Sequence, residues 1–213
     1  MCRDATSATP ATHVPVLRSA RGLLYEVRAA RFTKCARPFY EGASSSRCET
    51  WPMRVMLKLE LSCTPDAAWQ AIRDPEVFRA VSAPFTTFES LEPGGFPASW
   101  PAGEHRVAGR AFGIAPVGKQ IIRISTGSKP GGVRLVVDDG RGESGALASI
   151  TSWHHTMAVS PAPGGRTLFR DRLSFGVGAV TPLAWPALWA FWQWRGIRIS
   201  QLAPTWNDRY DGA

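Results

Sequence analysis

The stretch from Pro182 to Arg209 constrains this chain most. Thr181 reads as a helix cap and Pro182 as the first helical residue. From there Trp185, Leu188, Trp189, Trp192, Ile199, Leu202 and Trp206 fall on one stripe at helical spacing. Phe191 and Trp194 lie off it, and Arg195, Arg198 and Gln201 form the polar side of the second half. Five of the chain's nine Trp lie in this segment. A Trp buries a large apolar area but keeps an N–H that wants a partner. Such a surplus suits the wall of a ligand cavity, an interface or a membrane-facing surface better than plain core. Val177 to Trp192 is too short and too interrupted by proline for a membrane span, which needs about 20 apolar residues.

The residues upstream supply what would cover such a helix. Val55, Leu57, Leu59 and Leu61 alternate with Met56, Lys58 and Glu60, the pattern of a half-buried strand. Thr64-Pro65-Asp66 then opens a helix: Thr64 caps, Pro65 takes the first position, and Asp66 sits where the dipole favours an anion. Its apolar face is Ala68, Trp69 and Ile72, and Pro75 starts a second short helix with Val77, Phe78 and Val81 inward. Six strands are expected near 85–92, 103–113, 119–127, 132–139, 146–160 and 166–176. Pro93-Gly94-Gly95, Gly113 to Gly118, Lys129 to Gly132, Asp139 to Gly142 and Pro161 to Gly165 mark turns between them. Closely spaced strands with short turns make an antiparallel meander.

The net charge of +8 invites a nucleic-acid reading, but residues 1–52 hold eight basic and four acidic side chains and thus half of it. No Lys/Arg stripe, zinc-finger spacing or RNA-binding strand signature is present, so no nucleic-acid partner is expected. Residues 1–52, rich in Ala, Thr, Ser, Pro and Arg, read as a disordered extension, with Met53 or Met56 as a natural start and 53–209 as the folded domain. Cys2, Cys35, Cys48 and Cys63 form no C-x-x-C, so neither a metal site nor a disulfide framework is expected, and a reducing cytoplasm is the default compartment. No cofactor signature appears: there is no phosphate loop, HExxH or Gly-x-Ser-x-Gly.

The order strand, two short helices, six strands and a long helix resembles the helix-grip superfamily, which includes START domains, birch-pollen-type allergens, aromatic polyketide cyclases and coenzyme-Q-binding proteins. The polyketide cyclase/dehydrase-like bacterial branch, also termed SRPBCC, is the most similar. Thr64 to Trp69 with Asp74-Pro75, the turn Phe112 to Gly118, Trp153-His154-His155, and Phe169 to Leu173 running into Thr181-Pro182 carry the resemblance. It implies an α+β fold, a seven-stranded antiparallel sheet wrapped on the C-terminal helix, holding a lipid, quinone or polyketide-like molecule between them. Trp69, Phe78, Arg110, Trp153, Met157, Phe169, Phe175, Trp185, Trp189 and Trp192 are the residues expected to line that cavity. Catalytic and non-catalytic proteins share such a fold, so fold leaves activity open.

Chemistry, if any, is expected on the last two strands. Trp153, His155, Met157 and Val159 share one face and His154 the other; Phe169, Asp171, Leu173 and Phe175 share a face of the next strand. If Val159 pairs with Thr167, His155 lies directly opposite Asp171, a His–carboxylate pair able to move a proton or polarise a carbonyl. Arg106, Arg110 or Arg123 is the expected cation for a ligand oxygen. If Phe191 and Trp194 both face solvent, they form a patch for a second subunit or a membrane surface, with Arg195 and Arg198 suited to anionic headgroups.

Overall fold

A computed structural model describes residues 53–211; the extension expected over 1–52 lies outside the described residues. Strand β1 (Met53–Leu61) is followed by helices α1 (Pro65–Ala71) and α2 (Pro75–Ser82), then β2 (Thr86–Ser90), β3 (Gly103–Ala111), β4 (Ala115–Lys129), β5 (Val133–Asp138), β6 (Arg141–Gly142), β7 (Ser152–Ala162) and β8 (Arg166–Gly176). Helix α3 (Thr181–Leu202), a 3₁₀ turn and helix α4 (Trp206–Tyr210) close the chain. The sheet runs β1-β8-β7-β5-β4-β3-β2, all neighbours antiparallel, with the two-residue β6 as an eighth strand beside β4. The fold is a helix-grip: a curved sheet held around α3.

Local chemistry explains most elements. Val55, Leu57, Leu59 and Leu61 are all buried, as the alternation requires. Thr64 Oγ1 accepts the Ala67 N–H at 3.1 Å, and Asp74 caps α2 by accepting the Glu76 N–H at 2.7 Å. Gly196 on α3 faces β1 so closely that a Cβ there would meet Leu57 Cδ1 at 3.2 Å. The small residue sets how tightly the helix is gripped.

Four expectations are corrected. The strand expected over 146–160 begins at Ser152, because Gly145–Ser149 turns through a 3₁₀ segment that folds back onto β4, where Glu143 N–H donates to Lys119 O at 2.8 Å. That fold-back needs Gly142, since a Cβ there would lie 1.9 Å from the Leu147 carbonyl oxygen. The turn expected over Gly113–Gly118 is mostly strand: β4 starts at Ala115 and the reversal is the tight Phe112-Gly113-Ile114. Finally, the expected single helix to Arg209 breaks at Ala203–Thr205, where Pro204 cannot donate to the helical ladder. Thr181 is the first helical residue rather than the cap; its hydroxyl accepts from Val177 N–H at 2.8 Å and donates to Gly178 O at 2.7 Å.

Two apolar clusters hold the sheet to the helices. One joins α1, α2 and α4 to the sheet through Leu59, Ala67, Ala68, Val81, Val107, Val136, Phe169 and Trp206. The other packs the first half of α3 onto β1 and β8 through Val55, Leu57, Leu173, Phe175 and Trp192.

Candidate functional site

A cavity of about 570 Å³ lies between the sheet, α2 and α3. Ile122, Ile124, Met157 and Phe169 form its floor, Phe78 and Phe88 one wall, and Leu188, Phe191 and Trp192 the roof. Its lining residues Phe85, Ala146 and Ala187 are exposed and mark the opening. Ala146 and its neighbours Leu147 and Ile150 reach this rim because of the Gly142 fold-back.

One wall carries ionisable groups. β7 brings His155 and β8 brings Asp171, but the register differs from the expected one. Val159 pairs with Phe169, so Met157 is opposite Asp171 and His155 opposite Leu173. The strands run on through Ala162 and Arg166, and the reversal falls on Pro163-Gly164-Gly165, where both glycines adopt positive φ. A shift of two residues preserves the faces. His155 therefore reaches Asp171 diagonally, with Nε2 2.7 Å from Oδ1.

Helix α3 completes the cluster. Trp192 and Arg195, three residues apart, share a helical face. Trp192 Nε1 donates to the same Asp171 Oδ1 at 3.0 Å, and the Arg195 guanidinium lies over the Trp192 ring at 5.2 Å, with Nη2 3.7 Å from Asp171 Oδ2. Asp171 is 1% exposed and Arg195 5%. Burial alone would raise the Asp171 carboxyl, but the His155 charge and hydrogen bond, the Arg195 charge and the Trp192 N–H together hold it below its ordinary value. Burial likewise lowers Arg195, opposed by Asp171.

Asp138 sits directly opposite His155 on β5. Its Oδ1 accepts the backbone N–H groups of Arg123 and Gly140, each at 2.9 Å, and its Oδ2 accepts Trp153 Nε1–H at 3.0 Å. Burial nevertheless pushes this carboxyl above its ordinary value, toward the neutral acid. His155, Arg195 and Asp138 line the cavity, and Asp171 stands behind them.

Of the residues expected to line the cavity, Phe78, Trp153, Met157, Phe169, Phe175 and Trp192 do so. Four do not. Trp69 lies between the guanidinium groups of Arg73 and Arg134, because α1 buries Ala67, Ala68 and Ala71 instead and Trp69 points off that face. Arg110 is outward on β3, where Val107 and Gly109 are the inward positions, and it faces Glu89 at 3.6 Å. Arg106 and Arg123 are exposed as well. Trp185 and Trp189 stack on each other beyond the cavity's end, with Trp185 Nε1 donating to Arg54 O.

The cation on the cavity wall is Arg195, expected on the polar side of the helix. The signal was present: Leu188, Trp192, Arg195, Ile199 and Leu202 follow one apolar stripe. Asp138 was missed because Asp138-Asp139-Gly140 reads as a turn, although Asp138 continues the inward face of Val136. Phe191 and Trp194 are both half-buried: Phe191 lines the cavity and Trp194 Nε1 donates to Ala83 O at 2.7 Å. The most exposed large apolar side chains among the described residues are instead Leu183, Ile114 and Phe112. His154 faces away from the cavity side and pairs with Asp139. Among the described residues no three His, Cys, Asp or Glu side chains converge as a metal site, and no helix is long and apolar enough to cross a membrane.

Solved structures place this arrangement. A protein of Helicobacter pylori aligns at a TM-score of 0.54 with 12% identity, covering 70% of this chain and 87% of its own. One from Arthrobacter aurescens gives 0.52 and 12%, covering 73% and 86%, and one from Chromobacterium violaceum 0.51 and 18%, covering 71% and 96%. The likeness is one of fold. No family model and no curated protein matches the sequence.

Proposed function

We propose that the chain binds one hydrophobic small molecule, lipid-, quinone- or polyketide-like, in the cavity between the sheet and α3. The cavity carries this reading. Its volume of about 570 Å³ falls in the range of small-molecule sites, roughly 300–1,000 Å³. Apolar and aromatic walls with a few convergent polar groups on one side are the make-up of such sites. The test is titration with the neutral apolar dye Nile red. It should bind with one-to-one stoichiometry, and Ala187→Trp, which plugs the opening from an exposed helical position, should abolish binding while leaving the fold intact. Equal dye binding by both proteins contradicts the reading.

A second reading is an acid/base enzyme of the cyclase or dehydratase type, favoured by the convergence of His155, Arg195 and Asp138 on one wall. His155, oriented by Asp171, would move a proton, and Arg195 would stabilise negative charge developing on a substrate oxygen. His155→Ala separates the two. A container keeps its ligand affinity within a few-fold and has no turnover to lose; an enzyme keeps binding and loses turnover.

A further inference from the structure

We propose that the cavity selects an apolar molecule ending in a carboxylate, held head-inward against Arg195. This rests on the binding reading above and names its ligand class.

The observation is a buried cation without acceptors. Arg195 lines the cavity at 5% exposure, and its side chain makes no hydrogen bond to any described residue; its Nε is fully buried and unpartnered. The closest carboxylate oxygen, Asp171 Oδ2, is 3.7 Å from Nη2, beyond hydrogen-bond range. A guanidinium carries five N–H donors in a planar fork. Burying it without acceptors is strongly unfavourable. Asp171 does not answer that need: its Oδ1 is committed to His155 and Trp192, and its Oδ2, itself without a partner, stands out of hydrogen-bond reach of the fork. The Trp192 ring beneath the guanidinium fixes where the fork sits. The cavity thus presents oriented donors to whatever occupies it.

The charges around this wall select the head. A carboxylate matches the fork in two parallel hydrogen bonds, which an alcohol or an ester cannot reproduce. A cationic head finds no open acceptor on this wall, because Asp171 stands behind the cavity lining and Asp138 already accepts three N–H donors. A dianion such as a phosphate monoester is disfavoured, since among the described residues Arg195 is the only Lys or Arg lining the cavity and two carboxyls stand nearby. Arg195 brings one positive charge to the wall, so a singly charged head matches it better than a dianion. Beyond this wall, Phe78, Phe88, Met157 and Phe169 offer apolar surface for the body of the ligand.

The test is calorimetric titration of the full chain with dodecanoic acid, methyl dodecanoate and dodecanol. Wild type should bind the acid about ten-fold or more tightly than the ester and the alcohol, the size expected of a charge-assisted hydrogen-bond pair. Arg195→Met should bring the three within about two-fold of one another by weakening the acid alone, and Arg195→Lys, which keeps the charge but not the fork, should fall between. Equal binding of all three by wild type overturns the carboxylate assignment and leaves the binding reading standing. Retention of the acid preference by Arg195→Met overturns it too. Failure of all three ligands to bind a wild type that still binds Nile red overturns the carboxylate assignment alone, and failure of the dye as well removes both. The wild-type comparison decides the matter even if a variant does not fold.

Discussion

Asp171→Asn is the perturbation that bears most directly on the buried cluster. The side chain is fully enclosed, and asparagine fits the same space. Its carbonyl oxygen still accepts the His155 and Trp192 N–H groups, so the substitution chiefly deletes the charge facing Arg195. What is left is a buried guanidinium without its counter-ion. Breaking a buried pair in this way costs about 3–5 kcal/mol. For a domain of this size that lowers the thermal midpoint by about 6–20 °C. Urea unfolding followed by Trp fluorescence at pH 7 measures it. The pH dependence gives a second signature. The Asp171 carboxyl is held below its ordinary value of 3.8, so its stabilisation is fully present above that value and is lost as the pH falls through the lower folded-state value. The gap between wild type and variant should be flat from about pH 5 to about pH 8 and close only on stronger acidification. Adding Arg195→Met removes the orphaned cation, and the double variant should recover more than half of the loss. A single-variant cost below about 1 kcal/mol, or a double variant whose cost is the sum of the two singles, refutes the coupling.

Three further outcomes follow from the structure. Gly142→Ala pushes a Cβ into the Leu147 carbonyl and displaces the rim loop, costing about 1–3 kcal/mol in urea unfolding and weakening Nile red binding; a neutral result would show that the fold-back does not shape the opening. Trp192→Phe removes the indole N–H from Asp171 and should cost about 1.5–3 kcal/mol by the same assay, with unchanged stability ruling out that hydrogen bond. Cys63 is buried, and burial pushes its thiol up to about 11. Iodoacetamide at pH 8 should therefore leave the Cys63 peptide unlabelled in the native protein and label it in urea, as read by peptide mass mapping; rapid native labelling would contradict its burial.

The fold was legible where periodicity and caps agree. Val55 to Leu61 announced a strand because period two admits no other face, and Thr64-Pro65 and Asp74-Pro75 announced two helix starts because proline and a capping oxygen fit few other positions. The His155–Asp171 pair was legible as a shared face but not as a register. Either Pro161 or Pro163 can open the turn, and an even slip leaves every side chain on its own side. Arg195 was hidden by its chemistry, since an arginine on a helix is ordinarily solvated and only its place in an apolar stripe says otherwise. Asp138 was hidden by a turn-like neighbourhood. Trp69 misled because α1 meets the sheet through alanines, leaving the bulky residue to two arginines at the side. The cavity itself has no sequence signature, because it arises from how far the α3 roof stands from the β4 and β7 floor.

Native mass spectrometry of the full chain, incubated with a mixture of apolar small molecules, tests the central claim most directly. The expected spectrum shows a one-to-one adduct with wild type and none with Ala187→Trp under the same conditions. Bare protein mass for both, or adducts of equal abundance on both, would contradict the account of this cavity as a binding site.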